Sequence, residues 1–319
     1  MERNIKLPQS WVTRVTSDAL TDDIFTVGHD VDEVPSDEAI LSVVSKAATT
    51  TAVREMIRRK WFLPEPSEDK QLSRGKGLRD FLFGPNSHRA LFAVSARYRR
   101  QIRQRDLVDE LAASAWLCRV MDRAMERPSS NFEADRLNDK AITRLVRLSN
   151  VSSGPVRAIG YLAKLGVTVV LENALPGMRT DGASFIAKGV GPVIAMTLRH
   201  DRIDSFWFTL LHEIGHVLLH LTERPNEVFV DSLEEDETDE FELEAEANAF
   251  AKDAFVPRDT WLRSDAFRFC TESAVLELAG KCSIHPAIVA GRLRFEKRKF
   301  TALTHLLGTG EVRSVLMAG

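Results

Sequence analysis

The chain has 319 residues, 44% hydrophobic and 28% charged, with a net charge of −3. That length admits about two domains, or one domain with an appendage. The near-neutral balance argues against a chain coated in basic charge for nucleic acid. No stretch approaches the roughly 18–20 apolar residues needed to cross a bilayer. The opening MERNIKLPQSW has no apolar core that would mark a secretion signal. The three cysteines, Cys118, Cys270 and Cys282, are odd in number and lie in apolar contexts. They read as buried thiols of a reducing compartment, which implies a cytoplasmic protein without membrane association.

In chain order, the first forty residues are acidic and turn-rich, suited to strands or loops. Residues 38–62 carry a helical pattern, with Ile40, Val43, Val44, Ala47, Val53, Ile57 and Trp61 near one side. PEPSEDKQLSRGKG at 64–77 reads as a linker or mobile loop. The basic run RYRRQIRQR at 97–105 reads as a solvated helix face or an internal ion-pair partner for the acidic loop at 231–240, with a basic patch for nucleic acid as the alternative. Helical patterns follow near 106–126 and 131–149. A helix ending at Gly166 leads into the strand VTVVLE, and SFIAK (184–188) and PVIAMTL (192–198) read as two more strands joined by Gly-Val-Gly.

The next helix, capped by Asp204 or Ser205, runs to about residue 221 and contains FTLLHEIGHVLLH. Helical positions four apart share a face, so His212 and His216 aim at one point, with Glu213 about 100° round from His212. This is the HExxH arrangement: two zinc ligands and a carboxylate able to take a proton from metal-bound water. Buried imidazoles and a carboxylate need partners, and a metal supplies one. His220 lies about 6 Å further along the axis, too far to share the ion, and is expected to be a neighbour.

A catalytic zinc of this kind wants a third protein ligand. After the acidic loop DSLEEDETDE (231–240), the helix FELEAEANAFAKDAF stops before Pro257 and offers Glu242, Glu244 and Glu246. Glu244 shares a small, mostly apolar face with Ala247, Asn248, Ala251 and Phe255, suited to packing on the histidine helix. It is the expected ligand, with Glu246 in reserve. The last 50 residues are mostly helical. In ESAVLELAGKCSIHPAIVAGRLRFEKRK, two helices joined at Ser283 and Ile284 have the look of a helix-turn-helix with a basic end, Arg292, Arg294, Lys297, Arg298 and Lys299. The apolar His-Pro-Ala-Ile start of its second helix suits packing better than base readout.

FWFTLLHEIGHVLLH followed by ELEAEANAFAKDAFVP resembles the ImmA/IrrE family of metallopeptidases, with its Glu-x-x-Ala-Asn-x-Phe-Ala helix ending in Pro. LPGMRTDGASFIAKGVGPVIAMTLRHDR and SIHPAIVAGRLRFE resemble it as well, so the likeness covers roughly residues 105–319. The resemblance implies a mostly helical α+β, gluzincin-like (zincin) fold with a small three-stranded sheet. It also implies zinc, or manganese in its place, held by His212, His216 and Glu244, with Glu213 catalytic. Members are intracellular proteases that cleave transcriptional repressors, some carrying a helix-turn-helix and resembling regulators of toxin–antitoxin modules. The expected organisation is an N-terminal region over 1–104, a zinc metallopeptidase domain over 105–265 and a helix-turn-helix-like element over 266–319. The expected activity is site-specific endopeptidase action on a regulatory protein such as a repressor or antitoxin. The rival reading is a DNA-binding or antitoxin-like regulator that keeps the fold as a scaffold.

Overall fold

The computed structural model describes residue 47 and residues 49–83, 107–127, 131–230 and 239–318. In chain order it contains α1 (Thr51–Arg58), α2 (Lys70–Phe83), α3 (Leu107–Met125), α4 (Asp139–Arg147), α5 (Gly154–Lys164), β1 (Thr168–Leu171), β2 (Gly182–Ala187) and β3 (Gly191–Met196). There follow α6 (Ile203–His216), β4 (Val228–Val230), α7 (Asp239–Phe255), α8 (Arg258–Arg263), α9 (Asp265–Phe269), α10 (Glu272–Cys282), α11 (Pro286–Glu296) and α12 (Glu311–Ala318). The fold is mostly helical α+β.

Among the described residues the sheet has four strands, in the order β1-β3-β2-β4, where the sequence pattern suggested three. The missed strand, Val228–Val230, is too short to show a period. β1 runs parallel to β3, while β2 is antiparallel to both β3 and β4. SFIAK and PVIAMTL therefore form interior strands, and among the described residues the sheet's edges are β1 and β4.

Alternation along the strands divides the side chains between two apolar layers. Val169, Ile186, Ile194, Met196 and Phe229 face a core shared with α6, α7, α10 and α11. Val170, Ala183, Phe185, Val193, Val228 and Val230 face a second core built with Val53 and Met56 of α1, Leu78 and Leu82 of α2 and Trp116 of α3. With both faces covered, the interior strands read as nearly continuous apolar runs rather than clean alternation.

Several elements differ from their expected bounds. Within 38–62, Ala47 is helical and a separate helix runs from Thr51 after a turn at 49–50, where Thr50 Oγ1 accepts from the Val53 amide; Ile40, Val43 and Val44 lie outside the described residues. The stretch expected to be a linker ends in α2, because Asp69 caps it through the amides of Gln71 and Leu72. Gly77 also lets that helix reach the backbone of Leu63, where any Cβ would sit 2.5 Å from the carbonyl oxygen. In the segment 131–149, Asn138 caps α4 by accepting from Lys140 and Ala141, so the helix begins at Asp139. Neither Asp204 nor Ser205 caps α6. Its N-cap is Arg202, and the Asp204 carboxylate accepts from the Arg202 guanidinium at 3.0 and 3.1 Å instead.

Cys118 is buried, whereas Cys270 and Cys282 are only partly so, and no disulfide joins any of the three. Among the described residues no helix is long and apolar enough to cross a membrane. The first forty residues, the basic run at 97–105 and most of the acidic loop (231–238) lie outside the described residues.

Candidate metal centre

The site is made where α6 crosses α7. Phe206, Trp207, Leu210, Leu211 and Ile214 anchor α6 in the core and fix its rotation. Gly215 then permits a close approach, since a Cβ there would lie 3.2 Å from Cα of Ala247 and 3.3 Å from the Phe250 ring. The buried face of α7, Ala247, Phe250, Ala251 and Ala254, packs against α6. Glu244, one turn before Ala247 and Asn248, is thereby carried to the histidines.

The outcome is a convergent group. Nε2 of His212 and Nε2 of His216 are 3.0 Å apart. The Glu244 oxygens lie 3.1 Å from the first and 3.3 Å from the second. His212, His216 and Glu244 each offer a ligand atom, all within 4.8 Å of one another. A tetrahedral zinc with bonds of about 2.0–2.1 Å holds its donors about 3.3 Å apart, so the donor spacing suits that ion. Two imidazoles and one carboxylate are also a donor set that zinc prefers.

The electrostatics favour metal-ready protonation states. Burial pushes His216 down to about 4, and the nearby His212 adds to this against the pull of Glu244. Neutral imidazole, with a lone pair to give, is thus its form at neutral pH. For Glu244, burial alone would raise the carboxyl, but hydrogen bonds from His212 and His216 outweigh it and hold it well below the usual carboxylate range. His212, Glu213, His216 and His220 are only 2%, 0%, 0% and 3% exposed. The Glu244 side chain keeps 24% of its surface exposed, which leaves the cluster open to solvent on that side.

Glu213 sits on the same helix, beneath the first residue of β2. A Cβ at position 182 would fall 2.3 Å from Glu213 Oε1 and 2.9 Å from the Thr209 methyl, so Gly182 makes the recess that holds this carboxylate. Sequence reasoning missed Gly182, whose only signal is a small residue opening a strand. Phe229 of β4 was missed too. Its ring stacks on His216 with centroids 4.6 Å apart and planes 15° apart.

Glu242 is exposed, and Glu246 turns away from the ligand group to meet His220, its Oε2 3.1 Å from Nε2. His220 is a neighbour of the site, as its axial offset implied, and faces the other nitrogen of His216 with Nδ1 to Nδ1 at 3.0 Å. The charged residues after β3 are engaged in pairs, Arg199 with Asp181 at 2.9 and 3.0 Å and Arg202 with Asp204 and Ser205.

The two C-terminal helices do form a pair with a left-handed Ser283 between them (φ 56°). Ala287, Ile288, Val289, Ala290 and Leu293 of α11 are buried, and this helix packs on α6. Arg292 donates to the carbonyls of Lys252 and Val256 and lies over Trp261, and Arg294 bonds the carbonyl of Phe300. Arg298 and Lys299 are exposed.

Residues 163–293 match a family model, Peptidase_M78, described as the IrrE N-terminal-like domain. The matched stretch contains β1 to β4, both helices of the site and nearly all of the C-terminal pair. No curated protein matches the chain.

Proposed function

We propose that residues 163–293, which match the IrrE N-terminal-like family model, are a metallopeptidase-type domain, and that the chain is a zinc-dependent endopeptidase acting on a regulatory protein inside the cell. The observation that carries this reading is the convergence of His212, His216 and Glu244 within 4.8 Å, with Glu213 recessed beside them under Gly182. Zinc held by these three residues, or manganese in its place, supplies a Lewis acid that polarises the scissile carbonyl and acidifies water.

The rest of the chemistry belongs to the chain. Glu213 accepts the proton of the attacking water and passes it to the departing amine nitrogen. Its burial beneath β2 keeps the carboxylate in one orientation for both transfers. An extended substrate adds to the edge strand β4, whose Phe229 already lies against His216. The interior strands SFIAK and PVIAMTL offer no such edge, because their neighbours on both sides are taken. Amide protection at 228–230 on adding substrate would support that docking.

The substrate class, a repressor or antitoxin, follows from the family resemblance. The regulator reading, with DNA held by the C-terminal pair, has weaker support, because α11 spends its apolar face on α6 and Arg292 and Arg294 bond inward. Salt-dependent retention on non-specific DNA would favour it.

The deciding experiment is Glu213→Gln in the full chain. Cleavage should fall by about 10²–10⁴-fold, the usual worth of a positioned acid–base group, while bound zinc stays at the wild-type level. Retained cleavage would remove Glu213 as the base. Glu244→Ala should lose zinc where Glu246→Ala keeps most of it, and the reverse order would transfer the ligand role. The Glu213→Gln form also serves as a trap to co-purify the substrate.

A further inference from the structure

We propose that His220 and Glu246 are positioning residues for the metal ligand His216, forming a hydrogen-bonded chain that fixes its tautomer and ends at the protein surface. The proposal rests on the metal reading of His212, His216 and Glu244. It concerns a different pair of side chains, on the opposite side of the histidine stack.

Three contacts define the chain. His216 presents Nε2 to His212 and Glu244, at 3.0 and 3.3 Å. Its other nitrogen, Nδ1, lies 3.0 Å from Nδ1 of His220. Nε2 of His220 then lies 3.1 Å from Oε2 of Glu246, a side chain about half exposed.

The hydrogen positions follow from the ligand role. A neutral imidazole that gives its Nε2 lone pair to an ion must carry its proton on Nδ1. That proton points at His220, which must accept at Nδ1 and so carries its own proton on Nε2. Glu246, a carboxylate that only accepts, receives it. Each of the three groups has one role, and the order cannot be reversed without placing a proton on the nitrogen that faces the ion. Partners of this kind hold a ligating imidazole in one tautomer and raise its basicity.

Local backbone geometry delivers the arrangement. After His216 the helix widens into a π turn over Val217–Leu221. Four residues overshoot one turn of a 3.6-residue helix, and the wider i→i+5 turn brings His220 back over His216. Phe229 covers the other side, stacked on His216 and 5.4 Å centroid to centroid from His220. On α7, Glu244 and Glu246 straddle the histidine stack, one on the ligand side and one on the far side.

The test is metal affinity in the full chain, stripped by chelator and titrated with zinc against a chromophoric competitor, with cobalt as the spectroscopic probe. His220→Ala should raise the zinc Kd by about 10–100-fold, the usual effect of losing such a partner. His220→Leu should weaken binding as much, since it fills the space without an acceptor. His220→Asn should recover most of the affinity through its amide oxygen. Glu246→Ala should weaken binding, and Glu246→Gln, still an acceptor, should stay near wild type. The cobalt absorption of the Ala and Leu forms should shift, while that of His220→Asn should not. A purely packing role gives the other order, Leu near wild type and Asn impaired, and would overturn the proposal, as would wild-type affinity in His220→Ala. Should wild-type chain hold zinc no better than Glu244→Ala, the metal reading itself falls, and the positioning proposal with it.

Discussion

An alanine at position 182 would put its Cβ 2.3 Å from Oε1 of Glu213, inside any contact two such atoms tolerate. Glu213 is fully buried, so it cannot swing into solvent to make room. Gly182→Ala should therefore displace the Glu213 carboxylate while leaving His212, His216 and Glu244 in place. Displacements of about 1 Å can cost about 10²-fold in rate, so kcat/KM should fall by about that factor with zinc content unchanged. Loss of zinc in parallel would instead place Gly182 in the support of the ligands. The placement of His212, Glu213 and His216 on one helix, with the two imidazoles converging, was legible in the sequence because it is set by that helix's period. The approach of Glu244 was legible because its face of α7 is small and mostly apolar, with Ala247 and Ala251 buried. Gly182 was not, because its role exists only where a strand passes over a helix. The job of Glu246 was hidden for a similar reason: periodicity orders residues around one axis and says nothing of what stands opposite.

Helices α6 and α7 meet through a glycine, and α6 in turn carries α11 on its other side. Gly215→Val should force the first pair apart, since even a Cβ would sit 3.2 Å from Cα of Ala247. Overpacking of this kind typically costs about 1–3 kcal/mol, measurable as a lower urea midpoint, and zinc affinity should fall with it because Glu244 rides on α7. The start of α11 offers a pH-dependent test. Nδ1 of His285 accepts from the Ala287 amide at 3.1 Å, a capping bond that only the neutral ring can make. Burial holds His285 below its ordinary value of 6.5, despite the opposing pull of Glu311. The unfolded chain thus binds a proton here before the folded one does. The group's contribution is full above pH 6.5 and is lost as pH falls from there through the lower folded value. Between pH 7.5 and 5.5, wild type should lose more stability than His285→Asn, which keeps a capping oxygen without titrating. Equal losses would show that the cap does not respond to pH. Elements with a strong period and a clear stop, such as α5 ending before Gly166, were legible. The stretch at 64–77 misled because its Pro, Gly and charge describe a loop, whereas the Asp69 cap and the contact of Gly77 with Leu63 are settled by tertiary packing.

Across the described residues, one sheet serves two cores, and only one of them adjoins the His212, His216 and Glu244 group. Val170, Ala183, Phe185 and Val193 point away from the site and are covered by α1, α2 and α3. The family match begins at residue 163, after all three of these helices. The described helices α1 and α2, which precede residue 105, are nevertheless part of the sheet's second apolar layer. Sequence reading marked a boundary near 104 because the family resemblance was taken to begin at about residue 105. Resemblance tracks chemistry and says little about which segment shields a sheet. Leu82 is fully buried in this layer, so Leu82→Ala should lower stability by about 2–5 kcal/mol without changing the spectrum of bound cobalt. Deleting residues 1–104 should do more. It strips Val53, Met56, Trp61, Leu78 and Leu82 from the layer and bares an apolar sheet face large enough to drive association. The shortened chain should aggregate or unfold without a cooperative transition in urea. A monomeric 105–319 chain with the wild-type midpoint would instead establish the peptidase region as an independent folding unit, with the N-terminal helices as an attachment.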